Sequence, residues 1–238
     1  MSAARELAGL AGISQRQALT VLKQYGFSLE RAADAIFSGD VKVDSSNVAA
    51  IQKVFKKYAD ADEKEISIDG TIQFIQDLGL ELEDPVVLAV AKELNSPAMG
   101  RFPKQDFISG WSRWGVTSLS DMQNAVKTMG EKMQNDEKYF TEVYRFTFKF
   151  NMQDEGQRIL QQETAIDYWK LLLGNRFEIL DKWIKFVQEE YKRGISKDTW
   201  NMVWEFAKYY RTDPNLEAYD EEASWPSVID EFVEYLKA

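Results

Sequence analysis

Apolar residues recur at helical spacing along most of the chain, and strand-like alternation is confined to short pieces. Over residues 1–40 the pattern predicts three short helices. The first runs from Ala3 to Leu10 and stops near Gly12. The second is capped by Ser14, with Gln17 completing a capping box, and turns Ala18, Val21, Leu22 and Tyr25 inward before Gly26. Ser28 caps the third, Leu29 to Phe37, which Gly39 closes. Residues 41–46 are polar and read as a linker. Val48, Ile51, Val54, Phe55 and Tyr58 then mark one face of a helix. A polar loop from Asp60 to Glu65 leads into the strand-like Ile66-Ser67-Ile68 and a helix through Phe74 to Leu78, stopped by Gly79. Asp84 caps a further helix with Pro85 in its first turn and Val87, Val90, Ala91 and Leu94 facing inward. Gly100-Arg101-Phe102 is placed to pair with Ile66-Ser67-Ile68, and Pro103 opens a helix that ends at Gly115.

That order, helix, loop, short strand and helix, twice over with the strands paired, is the EF-hand arrangement. Beyond Ser118 the spacing predicts helices over Met122 to Met133, Glu137 to Phe150, Glu163 to Leu173, Arg176 to Lys192, Lys197 to Tyr210 and Pro226 to Leu236, with no repeat beyond the EF-like pair. The expected fold class is all-α: a small three-helix domain at 1–40, a linker at 41–46, and a larger helical domain at 47–238 that begins with the EF-hand-like pair. A composition of 45% hydrophobic residues over 238 positions is ample for a sizeable core.

The chain has neither cysteine nor histidine. Disulfides, Cys/His zinc sites, thioester-forming nucleophiles and imidazole acid–base chemistry are therefore excluded. No apolar run approaches the roughly 20 residues that cross a bilayer, and no secretory signal is apparent, so cytoplasmic and/or nuclear residence is expected. The net charge is −10, and from Asp213 onward eight acids face Lys237 alone. Tyr219, Trp225, Phe232 and other packing residues are interleaved with those acids, unlike a disordered acidic tail. A folded acidic surface favours a basic protein partner and repels nucleic acid.

Candidate chemistry is sparse. Counted from Asp60, an EF-hand loop would place Lys64 at ligand position 5, Glu65 where the turn glycine belongs and Thr71 where a bidentate glutamate closes the site. No metal or cofactor is expected there. Asp220-Glu221-Glu222 and Asp230-Glu231 are adjacent pairs whose neighbours point in different directions, so a partner-facing surface is expected over acid–base work. Gly156 and Gly194 stand alone, without a phosphate-binding loop around them. Phe146 and Phe150 share a helix side that Phe148 does not, and one of those directions is a candidate groove lining.

The first forty residues, with Phe27-Ser28-Leu29-Glu30-Arg31-Ala32-Ala33-Asp34-Ala35-Ile36 as a third-helix signature, resemble ubiquitin-associated (UBA) domains. The blocks Tyr219-Asp220-Glu221-Glu222, Trp225-Pro226, Ile229-Asp230-Glu231-Phe232-Val233-Glu234 and Ser196-Lys197-Asp198-Thr199-Trp200-Asn201 resemble the defective-in-cullin-neddylation proteins. Phe146-Thr147-Phe148, Tyr168-Trp169, Gly174-Asn175-Arg176-Phe177 and Ile68-Asp69-Gly70 agree, so the resemblance covers Ser46 to the C-terminus, the potentiating-neddylation (PONY) domain.

The resemblance implies a scaffold-type co-ligase without chemistry of its own. It would bind the C-terminal winged-helix part of a cullin and the N-terminally acetylated conjugating enzyme of the neddylation pathway. The family's cullin-binding Asp, Ala and Asp fall on Asp198, Ser224 and Asp230, with Ala223 beside the departing serine. Its pocket for the acetylated N-terminal methionine falls on Ile68, Phe74, Val87, Val90, Ala91, Leu94, Phe102, Phe150, Tyr168 and Leu171, with Glu83 and Gly100 near the rim. Ubiquitin is a possible partner of the small domain through Gly12 and Ile13, where Ala11-Gly12-Ile13 replaces the usual loop. No nucleic acid, membrane or cofactor is implied. The competing expectation is an EF-hand-type calcium-binding or ubiquitin-binding adaptor without a neddylation role.

Overall fold

Helix ends in a computed structural model of the chain follow local chemistry. The structure describes residues 3–13, 15–38, 40–41, 46–152, 156–220 and 225–238. Ser28 accepts the Arg31 amide at 3.4 Å and starts α3, Leu29–Phe37, after α1, Ala3–Ala11, and α2, Gln15–Gln24. The predicted Ser14 cap, Gly39 stop and most of the linker, 42–45, lie outside the described residues. The described residues form two compact units, 1–137 and 138–238.

In the first unit the EF-hand-like order is α4, Ser46–Tyr58; β1, Glu65–Ile66; α5, Ile68–Asp77; α6, Val86–Glu93; β2, Phe102–Pro103; and α7, Lys104–Trp114. The strands are antiparallel, with Glu65 opposite Pro103 and Ile66 opposite Phe102. The predicted strand Ile66-Ser67-Ile68 ends at Ile66 because Ser67 is turned into the cap position of α5. The Asp60 carboxylate accepts both the amide and the hydroxyl of Ser67, at 3.3 and 2.7 Å. At α6 the carboxylate of Asp84 accepts the Val86 amide at 2.8 Å, which supports the predicted start. α8, Leu119–Asn135, opens with a capping box between Ser118 and Asp121.

Gly70 lets α5 cross the end of α4, since a Cβ there would lie 2.0 Å from the Tyr58 carbonyl oxygen. Phe55, Phe74, Phe107 and Trp111 fill the space between these helices, with Phe74 and Phe107 centroids 5.2 Å apart. The three N-terminal helices have a small core of Leu7, Ala8, Ile13, Ala18, Val21, Leu22 and Ala32. They are not separate from the rest of this unit: α1 lies along α7, where buried Gly9 faces the Arg113 stem.

The second unit repeats the plan, which the sequence pattern did not reveal. α9, Glu137–Phe150; β3, Ile159–Leu160; and α10, Gln162–Leu173, are followed by α11, Leu180–Phe186; β4, Ile195–Ser196; and α12, Lys197–Thr212. β3 and β4 pair antiparallel, Ile159 with Ser196 and Leu160 with Ile195. Strands of two residues carry no readable alternation. The helix expected from Arg176 starts at Leu180, and its last part widens into a π-helical turn over Val187–Tyr191. Gln162 donates to the Val187 carbonyl in that turn at 2.9 Å.

α13, Ser227–Lys237, packs on α11 and α12. Tyr144 and Trp200 stack at 4.6 Å, and each donates to the other's backbone carbonyl, at 2.7 and 2.9 Å. Trp169 adds a donor to the Tyr144 hydroxyl at 3.0 Å, and burial pushes that phenol's pKa well up. The described residues are all-α apart from these two short ladders. No helix among them is long and apolar enough to cross a membrane.

Candidate functional site

The acidic segment after α12 is built around aromatic rings. Asp213, at the end of α12, accepts the amides of Glu217 and Ala218 at 3.0 and 2.9 Å and the Tyr209 hydroxyl at 2.8 Å. The Ala218 amide, followed by the Tyr209 hydroxyl, holds the Asp213 carboxyl below the usual range. Partial burial and the hydrogen bond to that carboxylate push Tyr209 up to about 12. Tyr219 stacks on Trp225 at 6.2 Å, and both rings meet Phe206 and Tyr209 edge-on. Residues 217–219 are thus held by rings on one side and a carboxylate on the other.

At the other end of α12, Asp198 is exposed in the first turn, behind the Ser196 cap that accepts the Thr199 amide at 3.0 Å. Asp230 lies in the first turn of α13, half-buried, and accepts the Tyr219 hydroxyl at 2.5 Å. The structure therefore puts the two predicted carboxylates in first turns of two helices that pack together. Ala223 and Ser224 lie outside the described residues. Tyr209, Asp213 and Tyr219 were not singled out as a positioning group. The i, i+4 spacing of Tyr209 and Asp213, just before Pro214, was the available signal.

The predicted apolar set divides between the units. In the first, Phe74, Val90, Ala91, Leu94 and Phe102 are core residues, and Val87 is half-buried. Ile68, at the start of α5, is 61% exposed. Beyond those predictions, Met99 is 63% exposed beside Gly100, and a Cβ on Gly100 would lie 3.2 Å from Ile68 Cγ1. In the second unit Phe150 stacks on Phe146 at 5.3 Å, while Phe148 turns inward towards Trp200. Tyr168 and Leu171 are half-buried on α10, and burial raises the Tyr168 pKa against a hydrogen bond with Asn151.

Gly12 and Ile13 are both buried. Ile13 is 2% exposed, and a Cβ on Gly12 would meet Val48 Cγ2 at 2.2 Å. In this arrangement neither presents surface to a partner. The acids of the Asp60 loop are paired by lysines: Lys64 of the loop sits 3.1 Å from Asp62, and Lys56 of α4 and Lys104 of α7 reach Glu63 at 3.0 and 3.7 Å. Among the described residues no cluster of three or more acidic, His or Cys side chains is arranged to hold a metal ion.

Residues 121–235 match a family model described as cullin binding. Over 233 residues the chain is 46% identical to "Defective in cullin neddylation protein 1" of Yarrowia lipolytica, covering 98% of this chain and 95% of that one. The Saccharomyces cerevisiae protein of the same name is 36% identical over 182 residues, 71% of this chain and 66% of its own. "DCN1-like protein 3" of Xenopus tropicalis is 32% identical over 224 residues, 90% of this chain and 73% of its own.

Proposed function

We propose, on the premise that this chain belongs to the defective-in-cullin-neddylation family, that it promotes cullin neddylation as a non-catalytic scaffold. It would hold the C-terminal winged-helix part of a cullin and the N-terminally acetylated conjugating enzyme together. Joint binding turns a bimolecular encounter between enzyme and acceptor lysine into an effectively intramolecular one.

The observation that carries this reading is the placement of Asp198 and Asp230, both inside the matched segment 121–235, on the packed pair α12 and α13. A carboxylate in a first helical turn also complements the helix dipole, which is worth about 0.3–1 kcal/mol by itself. The frame around Asp230 goes further than a dipole requires, since the hydroxyl of Tyr219, 11 residues earlier in the sequence, donates to the carboxylate. We assign both carboxylates to contact with a basic cullin surface, and Ala223 and Ser224 to the small-residue part of that contact.

The acetylated methionine of the conjugating enzyme is assigned to the apolar surface headed by Ile68. Phe74, Val87, Val90, Ala91, Leu94 and Phe102 support that surface within the first unit. Phe150, Tyr168 and Leu171 of the second unit are assigned to the same enzyme's N-terminal segment. Acetylation removes an ammonium charge that would be costly to desolvate against such side chains. The burial of Gly12 and Ile13 disfavours a ubiquitin contact through that loop.

The test is a pair of binding measurements on Asp198→Lys and Asp230→Lys. Each variant is expected to lose about 2–5 kcal/mol of cullin affinity while retaining the parent's affinity for an acetylated conjugating-enzyme peptide. Loss of both partners together would refute two separate docking surfaces. Equal binding of acetylated and unacetylated peptides by the parent would remove the second one.

A further inference from the structure

The segment that leaves α12 carries backbone strain. Leu216 is a buried leucine in a left-handed conformation, with φ of 57°. Bulky residues rarely adopt that backbone, and those that do are held there by their surroundings and cluster where the strain serves a site. The holding group here is Asp213. Its backbone carbonyl accepts the Leu216 amide at 3.1 Å, and its carboxylate accepts the amides of Glu217 and Ala218, just beyond the strained residue. The Tyr209 hydroxyl, one helical turn back in α12, donates to the same carboxylate at 2.8 Å.

What this turn delivers is Tyr219. Its amide donates to the Leu216 carbonyl at 3.4 Å, and its ring meets Trp225, Phe206 and Tyr209. The Lys237 ammonium, from the last turn of α13, lies 5.9 Å from the ring centroid. With the ring held from several directions, the hydroxyl is brought 2.5 Å from Asp230 Oδ1. A hydrogen bond to an ionised oxygen is short and strong. It also removes rotamer freedom that a partner would otherwise have to restrict on binding. The bond takes Oδ1 and leaves Oδ2 for an incoming cation.

We infer that Tyr209, Asp213 and Tyr219 form a positioning relay for cullin binding. The strained turn at Leu216 aims the Tyr219 hydroxyl, and that hydroxyl sets the Asp230 carboxylate in one orientation, with Oδ2 presented to the basic surface. This deepens the function proposed above and rests on its assignment of Asp230. The three relay residues act through Asp230 and do not touch the cullin. Asp198, in the first turn of α12, lies outside the relay.

The experiment measures cullin affinity for the full chain and for Tyr219→Phe, the latter alone and combined with Asp230→Ala or Asp198→Ala. Tyr219→Phe keeps the ring and removes only the hydroxyl. It is expected to weaken cullin binding about tenfold, from loss of a hydrogen bond to a charged group, and to leave acetylated-peptide binding unchanged. Added to Asp198→Ala it should cost the same again. Added to Asp230→Ala it should cost nothing further, because the relay then has no carboxylate to position. Asp213→Asn is expected to weaken cullin binding similarly and to speed amide hydrogen exchange at Glu217 and Ala218, whereas Tyr219→Phe should leave that exchange slow. A Tyr219→Phe chain that binds like the parent, or that loses as much affinity with Asp230→Ala as without it, overturns the relay and leaves Asp230 its role. An Asp230→Ala chain that binds cullin as the parent does removes the assignment beneath the relay, and the relay with it.

Discussion

Three donors converge on the Asp77 carboxylate: the Lys57 ammonium at 2.5 Å, the Tyr58 hydroxyl at 2.7 Å and the Gln73 side-chain amide at 2.9 Å. Led by Lys57, they lower its pKa to about 2 from 3.8. Because the folded-state value is depressed, the stability this group contributes is present above about pH 4 and is lost as the pH falls towards 2. Lys57 works with the opposite sign at the other end of the scale: its raised pKa means that its share is lost only in strong base. Asp77→Asn should therefore unfold at a lower temperature than the parent at neutral pH, with the gap closing between about pH 4 and pH 2 in thermal melts. A gap independent of pH would assign the effect to packing. No sequence pattern marks Lys57 and Asp77 as partners, since they sit on different helices. The Ser28 cap of α3 and the Asp84 carboxylate at the start of α6 were more legible because each lies close in sequence to the amide it accepts.

Each EF-like element depends on how closely helices approach at the strand pair. At Gly70 a methyl group would enter the Tyr58 carbonyl oxygen and also lie 2.8 Å from Ile66 Cγ2. Backbone has little room to yield, so Gly70→Ala should destabilise by about 3 kcal/mol or more, measured by denaturant unfolding. A loss below about 1 kcal/mol would mean that the helices slide apart freely. The loop before it holds a lysine where a calcium site holds a ligand, with Lys64 on Asp62. Millimolar calcium is expected to leave the melting temperature unchanged, and a rise in calorimetry would revive the calcium-sensor alternative. The first pair of strands was legible from Ile66, Phe102 and the flanking Gly and Pro residues. The second was not: β3 and β4 are two residues each, and exposed Ile159 looks like any loop residue. The widened turn after α11 escaped for a related reason, since the Val187 carbonyl that accepts the Lys192 amide also accepts from Gln162, far away in the sequence.

Across the molecule, negative charge is uneven, with most of the net −10 placed after Asp213. Composition alone leads to the expectation of a basic partner surface. It did not give Asp198 and Asp230 as a pair, which came from resemblance to whole blocks. The apolar set shows the converse: Val90, Ala91 and Leu94 were legible as an inward helix face, and they are core. Ile68 alone among the first unit's set is strongly exposed, because it sits at the first turn of α5 with its chain turned away from that core. Periodicity reports which side of a helix is apolar. It does not report where a helix stops being covered.

The seating of α1 along α7 has a consequence for anyone shortening the protein. Residues 1–40 read on paper like a detachable bead on a linker, yet in space α1 roofs the helix that carries Phe107 and Trp111. Cutting them away would unroof it and wet its back. The remnant should melt at least about 5 °C below the intact chain and bind hydrophobic dye. A remnant that melts with its parent would show that the roof was only resting there.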